Sequence, residues 1–216
     1  MSTSLLDLLA DAAYQRDSRV HGVVIGVVTN NKDDQGLGRV KVRFPWLSGA
    51  VESHWARVAT PMAGNGRGLY SLPEVDDEVL VLFDRGDVRF PFVIGALWNG
   101  KDKAPAGNSD GRNAERVIKS RSGHVIRLVD EQDAEKVEIV DASGKNSVVI
   151  DTAANSVTVS ADTRIVLSAP QGDVVIEAKQ LRVAVDSAQV DVKGAMSIKA
   201  SSELVLEGRT IDLNPP

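Results

Sequence analysis

Residues 137–167 read VEIVDASGKNSVVIDTAANSVTVSADTRIVL, and the reading of this stretch decides the fold. It holds four apolar-x-apolar triplets, Val137/Ile139, Val148/Ile150, Val157/Val159 and Ile165/Leu167, separated by small and polar residues. Six more follow: Val174/Ile176, Leu181/Val183, Val190/Val192, Met196/Ile198, Leu204/Leu206 and Ile211/Leu213. First members lie 11, 9, 8, 9, 7, 9, 6, 8 and 7 residues apart, which fits a short strand and a tight turn repeated along the chain. The two apolar residues of a triplet share one face, because strand side chains alternate. The middle residue is polar in six triplets (Glu138, Thr158, Arg182, Asp191, Ser197, Asp212), so the other face is expected to meet water. It is valine in the remaining four, which blurs the alternation.

Every Phe, Trp and Tyr lies at or before Trp98. The repeats therefore present only aliphatic side chains, which suits a core too narrow for rings. Short strands on one chain leave an apolar face and backbone edges exposed, so the row must coil into a solenoid or wrap with copies of itself. The uneven spacing favours three intertwined chains over a single-chain coil, whose rungs need nearly equal lengths. At one inter-strand step of about 4.8 Å per triplet, ten triplets make a rod on the order of 50 Å. The expected inward residues are Val157, Val159, Ile165, Leu167, Val174, Ile176, Val190, Val192, Leu204 and Leu206.

A chain of 216 residues with a repetitive second half is expected to carry two domains. There is no cysteine, which excludes disulfides and cysteine-ligated metal. The start is expected to be no signal peptide, since Asp7 and Asp11 interrupt its apolar run, and no stretch is long enough to span a bilayer. Assembly in the cytoplasm is the expectation. Charge is balanced over 18–98, positive over 99–124 and negative beyond, within a total of −5. A net acidic rod disfavours phosphate backbones, so no nucleic-acid partner is expected.

Upstream of the repeats, Leu5, Leu6, Leu9, Ala12 and Ala13 stand at helical spacing with Ser4 as a possible N-cap. They predict a short helix, laid on the following domain or docking a partner. Five strand-like runs follow, over 23–29, 38–44, 54–60, 79–83 and 92–97, with turn chemistry between them. The second run alternates Arg39, Lys41 and Arg43 with Val40 and Val42. Five short strands without an intervening helix predict a small OB-type barrel. An OB barrel can be a nucleic-acid platform, but the segment is charge-neutral and its aromatics cluster beside prolines at strand ends. The basic stripe Arg39, Lys41, Arg43 is better read as a protein contact.

No catalytic residues or cofactor are expected. Gly64-x-Gly-x-Gly68 lacks the Lys-Ser/Thr of a phosphate loop, and Asp151, Asp162, Asp173 and Asp186 are spread over turns without a pocket-forming domain. His21, His54 and His124 stand far apart and predict no metal site.

Four motifs occur in order: Gly36-Leu-Gly-Arg-Val-Lys-Val-Arg-Phe-Pro45, Trp55-Ala-Arg-Val-Ala-Thr-Pro-Met-Ala-Gly64, Leu72-Pro-Glu-Val-Asp-Asp-Glu-Val79 with Gly86-Asp87, and Val93-Ile-Gly-Ala-Leu-Trp-Asn-Gly100. Together they resemble the OB domain of the contractile-tail spike family, which includes phage baseplate assembly protein V and the valine-glycine repeat spike of type VI secretion. Ser120-Arg-Ser-Gly-His124, followed by Ile126-Arg-Leu-Val-Asp130, resembles that family's entry into its β-helix. Asp76 stands where the family commonly has glycine, and the His-x-His pair of iron-binding spike tips has no counterpart.

The resemblance implies an all-β homotrimer, a five-stranded OB-type barrel followed by an intertwined triple-stranded β-helix. Its expected division is a helical segment over 1–19, the OB fold over 20–100, a connector over 101–124 and the spike over 125–216. The implied role is a non-enzymatic spike of a phage tail or type VI-like injection particle, cytoplasmic until released. A trimeric hub would meet the barrel, and a cone-shaped proline-alanine-alanine-arginine repeat tip protein would cap Ile211, Asp212, Leu213, Asn214, Pro215 and Pro216. The target membrane would be touched only during injection. The alternatives are a trimeric β-solenoid acting on polysaccharide and a nucleic-acid-binding OB protein.

Overall fold

The computed structural model describes residues 19–47 and 51–212. The expected N-terminal helix over 4–13 lies outside the described residues. The chain divides into two units, one ending at Arg164 and one starting at Ile165.

The first unit begins with strands β1 (Val23–Asn30), β2 (Arg39–Arg43) and β3 (Ala56–Val58). A small hairpin follows, β4 (Ala63–Gly64) and β5 (Arg67–Gly68), then β6 (Glu78–Phe83) and β7 (Pro91–Ala96). Strands β1, β2, β3, β7 and β6 close into a barrel in that order. Four of its contacts are antiparallel, and β3 pairs parallel with β7 through Arg57↔Phe92 and Val58↔Val93. That order and hand of pairing make the barrel OB-type, as the turn-separated runs led one to expect.

Alternation fills the barrel. Val40 and Val42 of β2 and Val79, Val81 and Phe83 of β6 point inward, where they meet Val28, Phe44, Ala56 and Val93. Full burial of each such side chain contributes about 1.5–3 kcal/mol. The Phe44 and Phe83 rings lie 5.5 Å apart with a 55° tilt and plug one region of this core. Gly26 lets β1 press against its neighbours: a Cβ there would stand 3.3 Å from Val81 Cγ2 and 3.4 Å from Val42 Cβ. The turn before β6 is strained, since Asp76 holds φ +77°, a conformation that glycine adopts freely and other residues do not. The departure from the family's glycine thus falls at a left-handed position.

The glycine-rich stretch folds into the β4–β5 hairpin around Asn65-Gly66. Gly68 allows the close approach: at φ +154° a Cβ would fall 2.6 Å from the Met62 carbonyl oxygen. Residues 101–124, read as connector, contribute a strand as well as loops.

That strand, β8 (Glu115–Lys119), opens a second sheet with β9 (Val125–Val129), β10 (Lys136–Val140), β11 (Ser147–Asp151) and β12 (Ser156–Ser160). Its order is sequential and every pair antiparallel, a meander of five-residue strands. Its turns close locally. Asp141 accepts hydrogen bonds from the Asn146 amide and the Ser143 hydroxyl, which hold its pKa down to about 2. An exposed ion pair of Arg121 with Glu74, 3.0 Å, joins a meander turn to the barrel.

In the second unit, residues 165–212 form no strand among the described residues, and a turn hydrogen bond runs from the Gly172 amide to the Ala169 carbonyl. No helix among the described residues is long and apolar enough to cross a membrane.

Two substitutions in β1 and the β6 turn are expected to move stability in opposite directions. Gly26→Val overfills the barrel and should destabilise it by about 1–3 kcal/mol. Asp76→Gly relieves the left-handed residue and should stabilise by up to about 1 kcal/mol. Denaturant unfolding followed by tryptophan fluorescence measures both.

Candidate interaction surfaces

The register of the meander sorts its side chains into two unlike faces. Residues directly opposite one another share a face. One row runs Ile118, Ile126, Ile139, Val148, Val159 across all five strands, and the next runs Leu128, Val137, Ile150, Val157 across four. The first row is wholly aliphatic. On the reverse face Arg127 donates to Glu138 at 3.2 Å, Lys136 pairs with Glu138 at 3.0 Å, and Glu115 lies 3.9 Å from Arg127.

Exposure is inverted relative to an ordinary sheet. The Glu138 side chain is 13% exposed, whereas its neighbour Ile139 is 52% exposed. Within its own chain the charged face is the better covered, and nothing described covers the aliphatic one.

The ten residues expected in the core of a rod share this condition. Val157 and Val159 lie on β12, and Ile165, Leu167, Val174, Ile176, Val190, Val192, Leu204 and Leu206 lie in the second unit. Their exposures run from 48% at Val192 to 73% at Leu167. The spacing had marked Val137 onward, but Ile118 and the pair Ile126/Leu128 belong to the same face. The Ile126-Arg-Leu128 triplet carried the signal in sequence.

On the barrel, β2 does project Arg39, Lys41 and Arg43 outward, but two of these cations face carboxylates of their own chain. Arg39 holds Asp33 with two hydrogen bonds, 2.8 Å from Nε and 2.7 Å from Nη2. Asp33 also accepts the amide hydrogens of Gln35 and Leu37, and its side chain is 4% exposed. The Arg39 guanidinium, helped by these amides, holds the Asp33 carboxyl well below the usual carboxylate range. Lys41 pairs with Glu52 at 3.1 Å. The Trp55 ring lies beneath both cations, its centroid 5.5 Å from Arg39 and 5.4 Å from Lys41. Arg43 is exposed at the end of the strand. Asp33 carries no signal of this role in the sequence, because its partner lies six positions away across the β1–β2 loop.

Of the residues expected to meet a tip protein, Ile211 and Asp212 are exposed, and 213–216 lie outside the described residues. His21, His54 and His124 are exposed, and no cluster of potential metal ligands occurs among the described residues. His124 Nδ1 accepts the Ala142 amide hydrogen, which ties two meander turns together.

The barrel's closure matches what a family comparison finds. The model of the type VI secretion system/phage-baseplate injector OB domain matches residues 24–98, the span from β1 to the end of the barrel. Over these residues the chain is similar to the OB domain of phage-baseplate and type VI injectors. Its curated relatives include the type VI secretion system spike protein VgrG3 of Vibrio cholerae, 35% identical over 95 residues, 40% of this chain and 9% of that protein. Spike protein VgrG1a of Pseudomonas aeruginosa is 29% identical over 151 residues, covering 62% of this chain and 23% of the relative. VgrG1b of the same organism is 30% identical over 136 residues, 56% of this chain and 18% of that protein. The chain thus spans less than a quarter of the length of these spike-family proteins. The longer matches exceed the barrel and so extend past it.

The Asp33–Arg39 clamp generates a pH signature. A carboxylate with a depressed native pKa contributes stability that is complete above its unfolded value, about 3.9, and is lost as pH falls toward the native value. Asp33→Asn should therefore lower Tm at pH 7, and the gap from wild type should close as pH drops below about 4. Thermal melts of both proteins across pH 3–7 check this.

Proposed function

We propose that three copies of this chain assemble into the central spike of a phage tail or type VI-like injection particle, with a mechanical rather than chemical role. The observation that carries the reading is the aliphatic face of β8–β12, left in water by its own chain. Covering these half-exposed side chains would gain on the order of 1 kcal/mol each. Two sheets stacked face to face would hide them but leave the outer edges of β8 and β12 open. They would also leave most of the backbone of 165–211 outside any strand pairing. Three chains wound about one axis cover the face and pair the backbone together, and the aliphatic-only composition suits the narrow centre that results.

In this reading 20–100 is the barrel, 101–124 leads into the rod, and the spike proper occupies 125–216. A trimeric hub would meet the barrel across the β2 face, where Arg43 offers its charge outward while Arg39 and Lys41 hold Asp33 and Glu52. The far end, Ile211 to Pro216, would seat the cone-shaped tip protein. Contraction of a surrounding sheath supplies the work. The rod resists buckling and concentrates force on a narrow point that crosses the target envelope. Continuous inter-chain pairing around a dry centre would confer kinetic stability.

Light scattering should give the mass of three chains, and a monomer across the micromolar range would contradict the reading. Ile139→Asp and Ile165→Asp each bring three carboxylates into the proposed core, at a cost of several kcal/mol per trimer. Either variant should run as a monomer while its barrel keeps the wild-type near-UV tryptophan spectrum. Normal trimers from both would overturn the proposal.

A further inference from the structure

The sequence holds two Asn-Gly steps, Asn65-Gly66 and Asn99-Gly100, and the fold treats them differently. An asparagine side chain is hydrolytically labile where the next residue is glycine, because no side chain there shields the following backbone nitrogen from the asparagine carbonyl carbon. Ring closure by that nitrogen needs a carboxamide free to turn and a backbone free to follow it. What holds each side chain therefore decides whether its step reacts.

Asn99 is locked in a turn. Its Oδ1 accepts the amide hydrogens of Lys101 at 2.8 Å and Asp102 at 2.7 Å, and its Nδ2 donates to Asp102 Oδ2 at 3.1 Å. Its own backbone amide donates to the Asp102 carbonyl at 2.9 Å. Turning the carboxamide toward Gly100 breaks the side-chain bonds. Asn65 instead stands at the tip of the β4–β5 hairpin, held by the pairs Ala63↔Gly68 and Gly64↔Arg67 and, at its base, by the Leu69 amide on the Met62 carbonyl. So short a ladder opens readily. Among the described residues no hydrogen bond reaches the Asn65 carboxamide or the Gly66 amide. Gly66 lies at φ +64° with open space where a Cβ would stand, and Asn65 is exposed.

We propose that Asn65 is a site of spontaneous deamidation and that Asn99 is not. The Gly66 nitrogen gives its proton to solvent base and attacks the Asn65 Cγ. The side-chain nitrogen takes up a proton and leaves as ammonia, and a succinimide remains. Water then opens one of the two imide bonds, giving aspartate or isoaspartate at position 65. Either product adds a carboxylate to a chain whose formal charge is −5. It arises beside Gly64, over which the Arg67 guanidinium folds, with Cζ and Nε each 2.9 Å from where a Gly64 Cβ would stand. Isoaspartate also lengthens the backbone of the turn, which redraws the rim of the cavity lined by Met62, Arg67, Leu69 and Tyr70.

For the test, the intact chain is held for days at mildly alkaline pH and then digested with trypsin, whose peptides 58–67 and 90–101 separate the two sites. Peptide 58–67 should gain its aspartate and isoaspartate forms, resolved by mass and by an isoaspartate-specific methyltransferase, at least tenfold faster than peptide 90–101. Tenfold corresponds to about 1.4 kcal/mol of barrier, within the net worth of the bonds that hold Asn99. In a guanidinium-unfolded sample the two rates should converge. Equal rates in the folded chain, or an Asn65 that stays an amide there while the unfolded sample reacts, would overturn the proposal. A tenfold gap that persists in guanidinium would trace the difference to neighbouring sequence rather than to the fold, and would overturn it equally.

Discussion

A row of isoleucines and valines that the described residues of its own chain leave exposed is the constraint from which the remaining features follow. In the meander, alternation sends Ile126, Ile139 and Val148 to one side and Arg127, Glu138 and Val149 to the other. The charged side chains close over one another by ion pairing, while the aliphatic ones meet solvent. Beyond Ile165 the constraint tightens, because residues 165–211 form no strand among the described residues. A polypeptide in that state gains by finding more of itself, through both its side chains and its peptide groups.

The barrel answers a different requirement. It closes on itself with a core of valines and two phenylalanines, and its outward cations on β2 are partly consumed by Asp33 and Glu52. A base with its charges settled inside one chain can hold shape before any partner arrives. The meander between them pairs within the chain yet offers its apolar face outward. It therefore marks a gradation along the sequence, from a closed barrel through a sheet with one exposed apolar face to a segment with no strand among the described residues.

Much of this was legible in the residues. The alternation of Val40 and Val42 with three basic residues placed β2 correctly, and the Val137/Ile139, Val148/Ile150 and Val157/Val159 pairs landed on strands with the apolar members on one face. Two features escaped because they rest on contacts distant in sequence. The Asp33–Arg39 clamp needs the β1–β2 loop to fold back, and a stripe of like charges gives no hint of the acids that meet it. The β4–β5 hairpin was hidden because four-residue elements carry no periodicity, and glycines such as Gly68 read as loop until a close backbone approach gives them a reason. Strand β8 was missed for a related cause: Glu115–Lys119 is mostly polar and charged, and only its pairing with β9 makes it a strand.

The central claim is that residues 165–212 find their backbone partners in sister chains. Amide hydrogen exchange of the assembled protein tests it most directly, since unpaired amides exchange at the rates of an open chain. The account predicts protection of peptides across 165–212 at least as strong as that of the barrel strands. Exchange at open-chain rates throughout that segment, in a sample whose barrel is protected, would contradict it.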